Sequence, residues 1–175
     1  MVGNSGSGKS TVARRIGAAL GSPVLELDSV FHQPGWQELP EDEFRAQVET
    51  FAEQDRWVVD GNYTVVRVPV VWPRATTVVW LDLPQRTVMR QVVLRSLRRV
   101  IGRQELWNGN RETWRNLLSW DPQRSIVRWS WTNHAHNREK CASAGTDPRW
   151  RHLRVVRLRS RPEIDEFVAS LQSDR

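Results

Sequence analysis

Thiols and lysines are nearly missing from this chain. Cys141 is the one cysteine, so no internal disulfide can form, no second thiolate is available for a metal site, and Cys141 reads as a structural residue. Lys9 and Lys140 are the only lysines, which leaves arginine to carry most of the positive charge and few lysines to bind a phosphate. No apolar run approaches the ~18 residues that a membrane-spanning helix needs. Glycines and a lysine stand near the start, where a secretory signal would carry an apolar stretch. These absences predict a cytoplasmic protein with no membrane partner. Repeats and low-complexity linkers are absent as well, which argues against a solenoid or a chain of modules.

What is present is the composition of one globular domain spanning residues 1–175, with 39% hydrophobic and 26% charged residues. The excess of 26 basic over 20 acidic residues gives a net charge of +6, which favours anionic ligands without choosing among nucleotide, nucleic acid and membrane surface.

Strand and helix signals alternate along the chain. Val12, Ile16 and Leu20 recur every fourth residue, and Gly21 stands where a helix stops. Pro23 to Leu27 reads as a buried strand ending at Asp28, followed by a loop through His32, Pro34, Gly35 and Trp36. A helix follows Pro40, with Glu41, Asp42 and Glu43 in its first turn and Phe44, Val48 and Phe51 on one face. Trp57 to Asp60 and Thr76 to Leu83 read as further buried strands, the second leading through Pro84 into an arginine-rich helix with Val88, Val92, Leu97 and Ile101 inward. From about 98 to 136 the strand signal gives way to two helices rich in Trp and Arg, the second capped by Asp121 and Pro122, which predicts a helical insert. Leu153 to Leu158 is the last strand, and Ser160 to Glu163 has capping-box spacing before a final helix through Ile164, Phe167 and Leu171. The order predicts an α/β fold with a mostly parallel sheet covered on both faces, and ligands at the carboxyl ends of the strands. Asp28, Asp60 and Asp82 are expected at that edge.

The most specific signal is Gly3, Asn4, Ser5, Gly6, Ser7, Gly8, Lys9, Ser10, which fits G-x-x-x-x-G-K-[ST] and runs directly into a helix. Glycines let backbone N–H groups turn inward around a phosphate, and the helix N-terminus adds its positive end. Lys9 is expected on the β- and γ-phosphates, Ser10 on Mg²⁺, and Thr11 in the closing first turn. A strand of about five residues normally feeds such a loop. Only Met1 and Val2 precede Gly3, so the first strand looks truncated and the natural start is expected several residues upstream.

With these residues in view, the chain resembles the adenylate-kinase-like branch of P-loop kinases, in particular the bacterial group labelled DNA topology modulation proteins or adenylate kinases. The segments that carry the resemblance are GNSGSGKST, LELD ending at Asp28, PGW at Pro34 to Trp36, RWVVDGNY at Arg56 to Tyr63, VVWLDLP at Val78 to Pro84, ELWNGNRETWRNLL in the insert, and LRVVRLRS before the last helix. It implies a three-layer P-loop NTPase fold, ATP with Mg²⁺, and transfer of a γ-phosphoryl group to a small-molecule acceptor. By position, Asp60 resembles the aspartate that orients magnesium and Asp28 the residue that engages the acceptor. The insert resembles the lid, with Arg103, Arg111 and Arg115 as candidates for stabilising transition-state charge. Ser160 and Arg161 are expected to border the nucleotide base, and Asp82 reads as a turn residue.

Adenylate kinases carry an arginine four residues after the aspartate of D-G-F-P-R, where this chain has Thr64 after Asp60-Gly61-Asn62-Tyr63. Either Arg67 replaces it, or the acceptor is a hydroxyl compound contacted by Asp28 and Asn62. A second function class remains open at this stage. Trp107, Trp114, Trp120, Trp129 and Trp131 alternate with arginines in a pattern able to stack bases, so a nucleotide-dependent nucleic-acid-binding regulator is the alternative to a kinase. His134 and His136 stand two apart on an expected helix, fall on different faces and are not read as a metal pair. The expected assembly is a monomer or weak dimer.

Overall fold

A computed structural model describes residues 1–114 and 125–173. Strand β1 (Val2–Gly3) leads through the glycine-rich loop into α1 (Lys9–Leu20), which Gly21 ends in a left-handed conformation. Strand β2 (Val24–Glu26) runs straight into α2 (Leu27–Phe31). Asp28 therefore sits in a first helical turn, not at a strand end. The expected loop after it is a small antiparallel ribbon, β3 (His32–Gln33) and β4 (Gln37–Glu38), around the Pro34–Trp36 turn. Helix α3 (Glu41–Phe51) and strand β5 (Val58–Asp60) follow.

A helical stretch, α4, then runs through Thr64–Val66, a π turn at Arg67–Val71, and Trp72–Arg74. The π turn contains Pro69, whose missing N–H cannot make a regular helical bond. Strand β6 (Thr77–Leu81), helix α5 (Gln85–Ile101), the helices α6 (Ile126–Thr132) and α7 (His134–Thr146), strand β7 (Arg154–Leu158) and helix α8 (Arg161–Ser173) complete the described chain.

Strand β6 is flanked in parallel by β1 and β7, and β2 pairs in parallel with β5. The two sets meet at the chain start, where the Met1 ammonium donates to the Val59 carbonyl at 2.6 Å and the Gly61 N–H donates to the Met1 carbonyl at 3.3 Å. The spatial order is thus β2-β5-β1-β6-β7, with the glycine-rich loop leaving the central strand. Only Val2 and Gly3 of β1 face β6, opposite Trp80 and Leu81.

Alternation along β6 fills both sides of the sheet. Val78 and Trp80 join a core with Leu27, Phe44, Val48, Val70 and Trp72 from α2, α3 and α4. Val79 and Leu81 join one with Val12, Ile16, Val88, Val92, Ile164 and Val168 from α1, α5 and α8. This is the three-layer α/β/α arrangement that the alternating pattern predicted. Helix α5 ends at Ile101, whose side chain is exposed and not inward as the periodicity predicts, and α7 extends to Thr146 with Cys141 buried in the first core. No helix among the described residues is long and apolar enough to cross a membrane.

Candidate functional site

Gly3, Gly6 and Gly8 all take positive φ, and α1 begins at the next residue with no acidic side chain in its first turn to neutralise its N-terminal dipole. Gly6 is fixed by packing as well: a Cβ there would lie 2.0 Å from Val92 Cγ2 of α5. The loop is braced internally by the Ser7 N–H donating to the Asn4 carbonyl at 3.1 Å. Lys9 Nζ donates to the same carbonyl at 3.1 Å, so its ammonium lies across the loop mouth.

Behind Lys9, Ser10 Oγ donates to Asp60 Oδ2 at 2.6 Å, joining the start of α1 to the end of β5. Asp60 is buried, and its Oδ1 has no hydrogen-bond partner among the described residues. Burial pushes the Asp60 carboxyl above its usual range, opposed by the Lys9 charge and the Ser10 hydrogen bond. A hydroxyl and a carboxylate oxygen with spare acceptor capacity suit a hard divalent cation, which takes one or two protein oxygens and completes its shell with phosphate and water. No cluster of three His, Cys, Asp or Glu residues able to hold a metal unaided occurs among the described residues.

Asp28 is close enough for its charge to act on Asp60 and on Arg95. Its Oδ1 already accepts a hydroxyl, that of Tyr63 at 2.7 Å. Burial, then the Asp28 charge, pushes the Tyr63 phenol far above its usual value, so it is a donor at every working pH. The Tyr63 hydroxyl also lies 3.4 Å from His32 Nε2, and the His32 ring is surrounded by Phe31, Trp36 and Trp107. Beyond Tyr63 opens a cavity of about 450 Å³ lined by Phe31, Glu38, Phe44, Tyr63 and Val65 among others.

A strap from the insert covers this corner. Asn110 accepts the Trp36 N–H at 2.8 Å and donates to the Gln33 carbonyl at 2.9 Å, and Asn108 donates to the carbonyls of Ser29 and His32. Trp107 Nε1 donates to Glu26 at 3.3 Å. The sequence reading gave these residues to a lid and left Trp107 free to stack on bases; here its indole is engaged with Glu26, Arg99 and His32.

Several expectations need correcting. Asn62 was open to an acceptor contact, but its amide accepts the Gly3 N–H at 3.3 Å and donates to the Gly3 carbonyl at 2.6 Å, tying β5 to the phosphate loop. Arg67, the alternative phosphate-holding arginine, is 5% exposed with its guanidinium over the Trp72 ring. A nucleoside monophosphate finds no cation there. Arg103 is exposed at a positive-φ position beyond α5, and Arg111 pairs with Glu105 at 3.5 Å; neither touches the phosphate loop. Arg115, Trp120 and the Asp121–Pro122 cap lie outside the described residues. Ser160 spends its hydroxyl on the α8 capping box with Glu163, while Arg161 is exposed at the carboxyl edge of β7.

One residue the sequence reading missed is Arg95. Val92 packs on Gly6, and Arg95 lies one turn further along the same face of α5. Its Nε is buried with no hydrogen-bond partner among the described residues, and burial, then the Arg99 charge, lowers its pKa. Arg99 is held by Glu112 at 2.7 Å. The available signal was the spacing Val88, Val92, Arg95, Arg99, which puts these two arginines, unlike Arg98, on the inner face.

No protein-family profile matches the chain. The sequence is similar to shikimate kinase of Synechococcus sp. (strain RCC307), 34% identical over 105 residues, covering 53% of this chain and 54% of that protein. The chain thus spans about half the length of the curated relative it matches. The fold is similar to the crystal structure of shikimate kinase from Bacteroides thetaiotaomicron, with a TM-score of 0.56 and 14% identity over 98% of this chain and 94% of that one. The three-layer P-loop NTPase fold expected from the sequence is the fold of this chain.

Proposed function

We propose that this chain is an ATP-dependent phosphotransferase that moves the γ-phosphoryl group of MgATP onto a hydroxyl of a small-molecule acceptor. The observation that carries this reading is the convergence of three parts on one sheet edge: the Lys9 ammonium at the phosphate loop, the Ser10–Asp60 pair behind it, and Asp28 holding a hydroxyl at 2.7 Å. The similarity to two proteins named shikimate kinase agrees with it.

In this reading the loop amides and the α1 N-terminus hold the β-phosphate, and Lys9 leaves the Asn4 carbonyl for the β- and γ-oxygens. Ser10 and Asp60 would hold magnesium, which would draw charge from the phosphate oxygens. Arg95 supplies positive charge beside the loop as negative charge spreads over the transferring group. Asp28 accepts the proton of the acceptor hydroxyl, and Tyr63 fixes the orientation of its carboxylate. The acceptor is a hydroxyl compound, and shikimate is the first to test.

The test is ADP release, with ³¹P NMR of the product, from MgATP mixed with shikimate, nucleosides and nucleoside monophosphates in turn. Acceptor-dependent ADP release that disappears in Lys9→Ala is expected. Failure of the wild-type chain to bind MgATP at all would overturn the reading.

A further inference from the structure

The phosphate loop is held from outside as well as from within. Asn4, the first variable residue of the loop, turns its side chain away from the phosphate position into the α6–α7 hairpin. Its Nδ2 donates to the Ser130 carbonyl and to Ser130 Oγ, both at 3.0 Å. Ser130 Oγ donates in turn to the Ser5 carbonyl at 2.9 Å, and Asn137 Nδ2 donates to Asn4 Oδ1 at 3.0 Å. All three side chains are enclosed, with Asn4 at 6%, Ser130 at 0% and Asn137 at 8% exposure. These bonds connect residues more than a hundred positions apart. Nothing in a local phosphate-loop motif requires them.

On the reading of the loop as a nucleotide site, we infer that Ser130 and Asn137 are positioning residues: the α6–α7 hairpin clamps the phosphate loop in its binding conformation, and nucleotide affinity depends on that clamp. The physical reason is conformational entropy. A loop whose three glycines take positive φ has many alternatives when free, and each residue ordered on binding costs affinity. Asn4 is the point where the loop is fixed to the hairpin by its side chain. Its carbonyl receives the Ser7 N–H and Lys9 Nζ while its side chain is held by the hairpin, so a displaced hairpin moves both the loop bend and the catalytic ammonium. A buried amide that loses its partner is costly, so the docked arrangement of the hairpin is strongly favoured.

Arg138, the next residue of α7, provides an internal control. It points to Asp82 instead, Nε to Oδ1 at 2.9 Å, where Arg157 of β7 also binds. This pair anchors the hairpin to the sheet without touching Asn4.

The experiment is calorimetric titration of MgADP into the wild-type chain and the variants Asn137→Ala, Ser130→Ala, Arg138→Ala, Asn4→Ala and Asn4→Ala/Asn137→Ala, with melting curves to confirm that each is folded. Asn137→Ala is expected to weaken binding on the order of tenfold, with a smaller loss in Ser130→Ala, which keeps the bond to its own carbonyl. The double variant should lose little more than the worse single one, because the two residues share one bond. Arg138→Ala, with a half-exposed side chain, should change affinity less than about twofold even if its melting temperature falls. Binding by folded Asn137→Ala and Ser130→Ala as tight as wild type would overturn the clamp while leaving the kinase reading intact. If Asn137→Ala does not fold, Ser130→Ala decides alone. Wild-type chain that does not bind MgADP removes the kinase reading and the clamp together.

Discussion

Asp60 illustrates how a functional carboxylate works against the stability of the chain that carries it. Its pKa is raised by burial, so the native state keeps the Asp60 proton to a higher pH than the unfolded chain does. Below the ordinary carboxylate range both states are protonated and the shift has no effect. As pH rises through the window above about 4, the unfolded chain releases its proton first, and native stability falls until Asp60 ionises in both states. Where Asp60 is ionised in the nucleotide-free protein, its charge is buried and opposes folding. Asp60→Asn is expected to stabilise that form by about 1 kcal/mol near pH 7.5, with the advantage shrinking toward pH 4.5, while the response to MgATP is lost. Melting curves at the two pH values, each with and without MgATP, check both halves. Tyr63 gives a second prediction at this scale. Tyr63→Phe removes the bond that orients Asp28 and should lower kcat/KM for the acceptor about tenfold, with little change in KM for ATP. A larger effect on ATP than on acceptor would show that Asp28 belongs to the nucleotide side.

Among the elements, the strap at Glu105–Arg111 has the most consequence for the corner around Asp28, His32 and Tyr63. Asn110 is 4% exposed and satisfies three backbone groups, the Trp36 N–H and the carbonyls of Gln33 and Trp107. Asn110→Ala should cost roughly 1–3 kcal/mol and speed amide exchange through β3 and β4, with α1 and α8 unaffected. Exchange that rises uniformly along the chain would mean that the strap supports the whole fold and not this corner. This is also the scale at which the sequence was most and least legible. The glycine-rich loop and the start of α1 could be read because backbone chemistry constrains them within a short segment, whereas Asp60 was marked only by resemblance, its contact with Ser10 joining residues fifty positions apart. Helix α3 and the α8 capping box were legible for the same reason. The strap was visible only as aromatic and asparagine residues, since its partners lie more than seventy residues away. Arg95 was hidden among neighbouring arginines of one helix; its spacing from Val88 and Val92 marks the inner face, and the packing of Val92 on Gly6 shows what that face meets. Asn62 stayed open to an acceptor contact because nothing local shows that Gly3 would take both ends of its amide.

At the scale of the whole molecule, the order β2-β5-β1-β6-β7 brings the ends of β1, β2 and β5 side by side, so Gly3, Asp28 and Asp60 reach one edge although each comes from a different part of the chain. The fold is thus a frame whose stability should respond to occupancy of that edge. A ligand that binds only the native state at a hundredfold excess over its dissociation constant adds about 2.7 kcal/mol, which for a chain of this size raises the melting temperature by roughly 5–10 °C. MgATP is expected to produce such a shift in the wild-type chain and none in Lys9→Ala, whose removed ammonium makes one hydrogen bond among the described residues. Because Lys9 is part-buried at the loop mouth and not in either hydrophobic core, the two proteins should melt alike without nucleotide. Equal shifts in both would mean that nucleotide binds somewhere other than the phosphate loop, for example among the exposed arginines, and that binding should then weaken steeply with added salt.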